Sequence, residues 1–153
     1  MAEFTIKDLK KIYQSLSPLP TNKRCAYCSA MAVDKEHVLP KSWLNSLISM
    51  QSGGVEVEIP EMLIVPACRE CNSLASSLVF KNFIEKRKYI AKRIRTRYRR
   101  LIRGKDWTNE EMNELSGRLK EYIYYSMQIK KLVEQRLEAL DGKLEFNIDY
   151  RYE

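Results

Sequence analysis

The chain has 153 residues, 44% of them hydrophobic, with a formal net charge of +7 and four cysteines. That length suits one ordinary domain, or a small one with an extension, and the apolar content is enough for a core. No stretch approaches the ~18 consecutive apolar residues of a membrane span, and the opening MAEFTIKDLKK has no apolar run followed by small residues, so no signal peptide is read and a cytoplasmic protein is expected.

Taken in chain order, residues 4–9 read as a helix start. Thr5 caps, Asp8 returns the bond, and Phe4 is placed to staple onto Leu9. Leu9, Ile12, Tyr13 and Leu16 then recur at helical spacing to about Ser17, where Pro18 and Pro20 stop the helix. A strand is predicted over 30–38, a short helix over 41–50 carrying Trp43, Leu44, Leu47 and Ile48, and a loop over 51–54. Val55, Glu56, Val57, Glu58 and Ile59 alternate as in a half-exposed strand, and a short apolar strand is expected over 62–65. A long helix is predicted from about Cys71–Asn72 to Arg103, with Leu74, Leu78, Phe83, Ile84, Ile90, Ile94, Tyr98 and Leu101 as its apolar side and Gly104 as its end. Thr108 and Glu111 form a capping box for a second long helix. Its apolar stripe, from Met112 through Ile129, Val133, Leu137 and Leu140, suits either packing within the molecule or a dimer seam. Thirty-three residues of helix would span roughly 50 Å, and Gly117 weakens it by about 1 kcal/mol relative to Ala. Asp141-Gly142 is a good stop, and the alternation of Leu144, Phe146, Ile148 and Tyr150 predicts a final strand.

The cysteines fall in two C-x-x-C pairs, Cys25/Cys28 and Cys68/Cys71. A two-residue gap lets both thiolates of a knuckle face one ion, and four thiolates complete a tetrahedral shell. In a reducing cytoplasm the pattern favours a structural zinc ion. A disulfide pair, a redox C-x-x-C and unrelated buried cysteines are the alternatives. A shell of four thiolates has no open position for chemistry, so a zinc ion here acts as a staple that replaces missing core.

The positive charge is concentrated in one place. Residues 81–105 hold twelve basic side chains against a single acid, Glu85, a net +11, so the remainder of the chain is net −4. A cationic segment of this density attracts polyanions by counterion release; a solvated helix face is the alternative, but a helix that needed only solubility would mix the signs. Helical steps of three and four divide it into Arg93, Arg97 and Arg100 on one line and Lys88, Lys92, Arg95 and Arg99 on another. Lys41 is a further candidate phosphate contact.

His37 is the only histidine, and Glu36 stands beside it. The succession "CAYC", "EHVLPKS", a loop with two glycines, an apolar strand, and "VPACRECNS" opening a helix resembles the HNH endonuclease family over about residues 23–82. The resemblance implies a zinc-stapled ββα-metal core (the HNH or His-Me finger) over 21–82; with the periodicity outside it, which gives an N-terminal helix over 1–20 and two long C-terminal helices and a short strand over 83–153, the expected fold is α+β.

The same resemblance implies that His37 is the general base that activates water against a DNA phosphodiester. It makes Glu36 and Asn72 ligands of a catalytic magnesium or manganese ion, and Cys25, Cys28, Cys68 and Cys71 the zinc ligands. The expected partner is DNA, and the basic segment, outside the resemblance, offers Lys88, Lys92, Arg93, Arg95, Arg97, Arg99 and Arg100 as its phosphate contacts, with Lys41 beside the histidine strand. The chain itself would be a monomer, or a dimer through the long C-terminal helix. Small free-standing proteins of this build are common in bacteriophages. Glu36 stands where the family most often has Asp, Glu61-Met62-Leu63 lacks the Asn that often braces the histidine strand, and Ala75 stands where a Lys often follows. These differences keep open a non-catalytic, zinc-containing DNA-binding regulator, and the striped helix keeps open a protein-partner module.

Overall fold

The computed structural model describes residues 4–16, 24–37, 40–56, 64–80 and 83–142, with the side chains of His37 and Lys41 outside that description. Their order is α1 (Ile6–Leu16), β1 (Asp34–His37), α2 (Lys41–Ser52), β2 (Ile64–Ala67), α3 (Arg69–Ala75), α4 (Phe83–Arg97), α5 (Arg99–Ile102), α6 (Asn109–Asn113) and α7 (Gly117–Leu140). The class is α+β, with one two-stranded sheet among the described residues. No described helix is long and apolar enough to cross a membrane.

α1 begins as its sequence dictates. The Thr5 hydroxyl accepts from the Asp8 amide at 3.2 Å, and the Asp8 carboxylate accepts from the Thr5 amide at 2.9 Å, so two otherwise orphaned donors of the first turn are satisfied reciprocally. The Thr5 hydroxyl also donates to Asp8 Oδ2 at 2.7 Å, and this bond first, then that from the Thr5 amide, holds Asp8 below the usual carboxylate range. Phe4 stacks on Tyr98, with ring centroids 6.2 Å apart. Leu9 and Leu16 are buried.

β1 and β2 pair antiparallel in the register Asp34↔Ala67, Lys35↔Pro66, Glu36↔Val65 and His37↔Ile64. β1 is shorter than the strand predicted over 30–38, because the chain ahead of it is committed to a turn. Cys25 donates to the Ala30 carbonyl at 2.7 Å, Ser29 donates to the Cys25 carbonyl at 3.0 Å, and Ser29 sits at φ 64°. β2 runs two residues beyond the strand predicted over 62–65 and includes Pro66. A two-stranded ladder tolerates proline because each strand is an edge. α2 matches its prediction and extends it through Gln51 and Ser52 to Gly53. The strands predicted over 55–59 and 144–150 lie largely or wholly outside the described residues.

Two predicted continuous helices are broken. The first gives way at Ser76, which adopts φ 44° and ends α3, and α4 starts at Phe83. Leu78 and Ile84, assigned to the apolar side, are therefore exposed, Ile84 by 63%. A further turn at Tyr98 separates α4 from α5. The second break lies at Leu115–Ser116, after a five-residue α6. The predicted capping box is present: the Thr108 hydroxyl accepts from the Glu111 amide and the Glu111 carboxylate from the Thr108 amide. Gly117, at φ 61°, then opens α7 in a conformation that favours glycine. The 24 residues of α7 span about 36 Å, not 50 Å.

α7 is the backbone of the packing, in contact with α1, α4 and α5. Ile129, Val133, Leu137 and Leu140 are buried in one apolar cluster with Leu9, Leu16, Val65, Ile90, Ile94 and the four cysteines. The C-terminal part of the stripe thus packs within the molecule, whereas Leu119 and Tyr122 nearer its start are exposed. The single cluster crosses the divisions drawn at residues 20 and 82, so the three segments share a core.

Candidate metal centre and the strand beside it

Cys25 and Cys28 lie on the turn between Arg24 and Met31, which pair as an isolated bridge. Cys68 is the N-cap of α3, where its sulfur accepts from the Cys71 amide at 3.4 Å. The Ala26 amide donates to the Pro66 carbonyl at 2.9 Å and the Val33 amide to the Ala67 carbonyl at 3.1 Å. These bonds hold the first turn against the end of β2 and bring the two knuckles face to face. All four sulfurs are buried and lie within 4.8 Å of one another.

Cys28 Sγ and Cys68 Sγ are 3.6 Å apart. Zinc–sulfur bonds of about 2.3 Å at tetrahedral angles separate sulfurs by about 3.8 Å, so the donor set fits a zinc-sized ion. Four such cysteines could hold a metal ion, and each is free of a disulfide. Hydrogen bonds among the sulfurs, with Cys25 first, drive the Cys28 thiol well below its ordinary pKa, and those from Cys28 and Cys68 raise that of Cys25.

The group that faces this cluster was not foreseen from the sequence. Arg136, on α7, is 3% exposed. Its Nε donates to Cys28 Sγ at 3.2 Å, and Nη2 lies 3.7 Å from both Cys68 Sγ and Cys71 Sγ. Nη1 donates to Glu70 Oε2 at 2.7 Å. The other Glu70 oxygen accepts from the Tyr98 hydroxyl at 2.9 Å and pairs with Arg97 at 3.2 Å. Burial alone would lower the Arg136 pKa, but the negative charge of Cys28, Glu70, Cys71 and Cys68 outweighs it and raises the value. Burial, then Glu70, pushes the Tyr98 phenol well up.

The residues expected to hold a catalytic ion are placed as follows. The backbone of His37 forms the last rung of the ladder, opposite Ile64. Asn72, in α3, donates from Nδ2 to Asp34 Oδ2 at 3.5 Å. Glu36 has a partner that its sequence neighbours do not suggest. It is 4% exposed, and its Oε1 accepts from Lys86 Nζ at 2.8 Å, with Lys86 itself fully buried. Glu36 Oε2 is buried without a hydrogen-bond partner among the described residues. Lys86 also lies 5.4 Å from the centre of the Tyr27 ring.

The basic segment divides differently from the two helical lines. Arg95 binds both oxygens of Asp141, at 2.9 and 2.7 Å, Arg97 is held by Glu70, and Arg87 donates to the Ala139 carbonyl. These cations brace helices. Lys88, Lys92, Arg93, Arg99 and Arg103 are exposed and make no ion pair with a described residue. Arg100 is exposed and has a partner of its own.

No protein-family model, curated protein or solved structure matches this chain.

Proposed function

We propose that this protein is an HNH-type DNA endonuclease or nickase that hydrolyses phosphodiester bonds, with His37 as general base. The observation that carries the reading is the order of the parts. An antiparallel β1–β2 pair with His37 on its last rung leads through a thiolate turn into a helix that carries Asn72 in its second turn.

An imidazole of ordinary pKa, about 6.5, is partly free base at neutral pH and can take the proton of an attacking water. The side-chain carbonyl of Asn72 and the unpartnered Oε2 of Glu36 are the donors that would hold a magnesium or manganese ion. Such an ion would supply charge stabilisation at the phosphate and the leaving oxygen. Lys88, Lys92, Arg93, Arg99 and Arg103 would contact DNA phosphates, which position a duplex without reading its sequence.

One observation favours a second reading. Lys86 already neutralises Glu36, and an ammonium ion beside that carboxylate competes with a divalent ion for it. On this reading the protein is a non-catalytic, zinc-containing DNA-binding regulator.

Supercoiled plasmid incubated with magnesium or manganese separates the two. Nicking by the wild type that is lost in His37→Ala and Asn72→Ala is the expected result. DNA retention in a gel shift with no nicking by any divalent ion establishes the regulator. Nicking that persists in His37→Ala removes the assigned base.

A further inference from the structure

A zinc ion in four thiolates leaves a centre with two net negative charges, formed here where every sulfur is buried. Unpaired charge in such a place is costly. Among the described residues, the cation that meets the sulfurs is Arg136. A guanidinium remains charged at any working pH and presents a fixed fork of donors. Here that fork spans three of the four sulfurs with Nε and Nη2 and turns Nη1 to Glu70.

Arg136 comes from the far end of the chain, 108 residues after Cys28. It is set one helical turn from Val133 and one from Leu140 on the buried face of α7. Glu70, the residue between Arg69 and Cys71, links Arg136 onward to Arg97 and Tyr98 at the end of α4. The cysteine cluster is therefore joined to α7 directly through Arg136 and to the end of α4 through Glu70.

We propose that Arg136 is the charge-balancing outer partner of the metal centre, so that ion uptake and the seating of α7 reinforce one another. This rests on the reading of the four cysteines as a zinc site. Partners of this kind usually change metal affinity by about 10–100-fold when removed. Reciprocity is required of any such linkage: what α7 does for the ion, the ion does for α7.

The test uses the full chain as wild type, Arg136→Met and Arg136→Lys. Competition with a chromophoric chelator measures zinc affinity, cobalt substitution reads the thiolate-to-metal charge-transfer bands, and hydrogen exchange reads residues 129–140 with and without zinc. Expected are a loss of affinity of about 10–100-fold in Arg136→Met, a smaller loss in Arg136→Lys, and cobalt bands moved to lower energy in Arg136→Met as N–H···S bonds are removed. Wild-type α7 amides should exchange faster once zinc is stripped.

Wild-type zinc uptake that Arg136→Met matches within about twofold overturns the role of Arg136. So does α7 protection that is unchanged by zinc removal. No zinc uptake by the wild type overturns the metal centre itself and this proposal with it. If Arg136→Met does not fold, Arg136→Lys and the exchange experiment on the wild type still decide the matter.

Discussion

At the scale of single residues, two cations are buried among the described residues, and both sit inside apolar stripes. Lys86 lies three residues after Phe83 and four before Ile90, and all three are buried. Arg136 lies three after Val133 and four before Leu140. The helical period is legible in the sequence, but a pattern that keeps only apolar residues steps over a charge placed on the same face. It selects Ile84, which is exposed, and passes over Lys86, which is not. A lysine or arginine at a core position of a stripe, with a lone acid near the other end of the fold, is the signal that would have found them.

The Glu36–Lys86 pair allows a sharp measurement. Both side chains are at most 5% exposed. Removing one partner of such a pair leaves a buried charge unmatched and costs about 3–5 kcal/mol. Lys86→Met should therefore destabilise strongly in urea unfolding, while Glu36→Met combined with Lys86→Met should recover most of the loss. A single variant as stable as the wild type would show that the pair contributes little.

At the scale of elements, the helices are legible by their ends more than by their middles. Both capping boxes can be read, as Thr5 with Asp8 and Thr108 with Glu111, because the bonds that define them are local. The break at Ser76 cannot, because the apolar period runs on through Leu78 and Ile84 and neither proline nor glycine interrupts it. Tertiary packing decides there: α3 is held to the cysteine cluster through Cys68 and Cys71, and α4 is held to α7.

The cationic segment shows the same limit. Spacing yields two lines of side chains, but the acids that hold Arg95 and Arg97 are Asp141 and Glu70, distant in sequence. In a DNA titration against salt, Lys88→Gln, Lys92→Gln and Arg93→Gln together should reduce the steepness of log K against log [salt] by up to about 2.7, at about 0.9 for each phosphate no longer neutralised. Arg95→Gln and Arg97→Gln should lower stability and leave the slope much nearer its wild-type value. Equal effects on the slope from both sets would mean that the ion pairs open on binding.

At the scale of the whole molecule, the cysteine cluster lies within the shared core. The four positions are legible, since two C-x-x-C pairs have the spacing that favours a tetrahedral donor set, and the structure brings all four sulfurs together. The place of that cluster under α7 is not legible, because it depends on packing across most of the chain. If the four thiols hold zinc, stripping it should lower thermal stability in proportion to the binding energy removed. With zinc at a thousand times its dissociation constant that is about 4 kcal/mol, or roughly 8–16 °C in Tm for a chain of this size. A chelator that leaves Tm unchanged would mean the thiols pack as well without an ion as with one.

The seating of α1 on α7, through Tyr13 against Tyr125 at 5.6 Å and Lys10 with Glu121, sets an order on the ribosome. α1 must wait for α7 to emerge before its apolar face is covered, while all four thiols are available as soon as residue 71 clears the exit tunnel. A nascent chain can therefore offer four thiols to an ion long before it can close its core. Shortened products that end ahead of residue 117 would leave Leu9 and Leu16 uncovered, and such products are the ones that quality control should meet first.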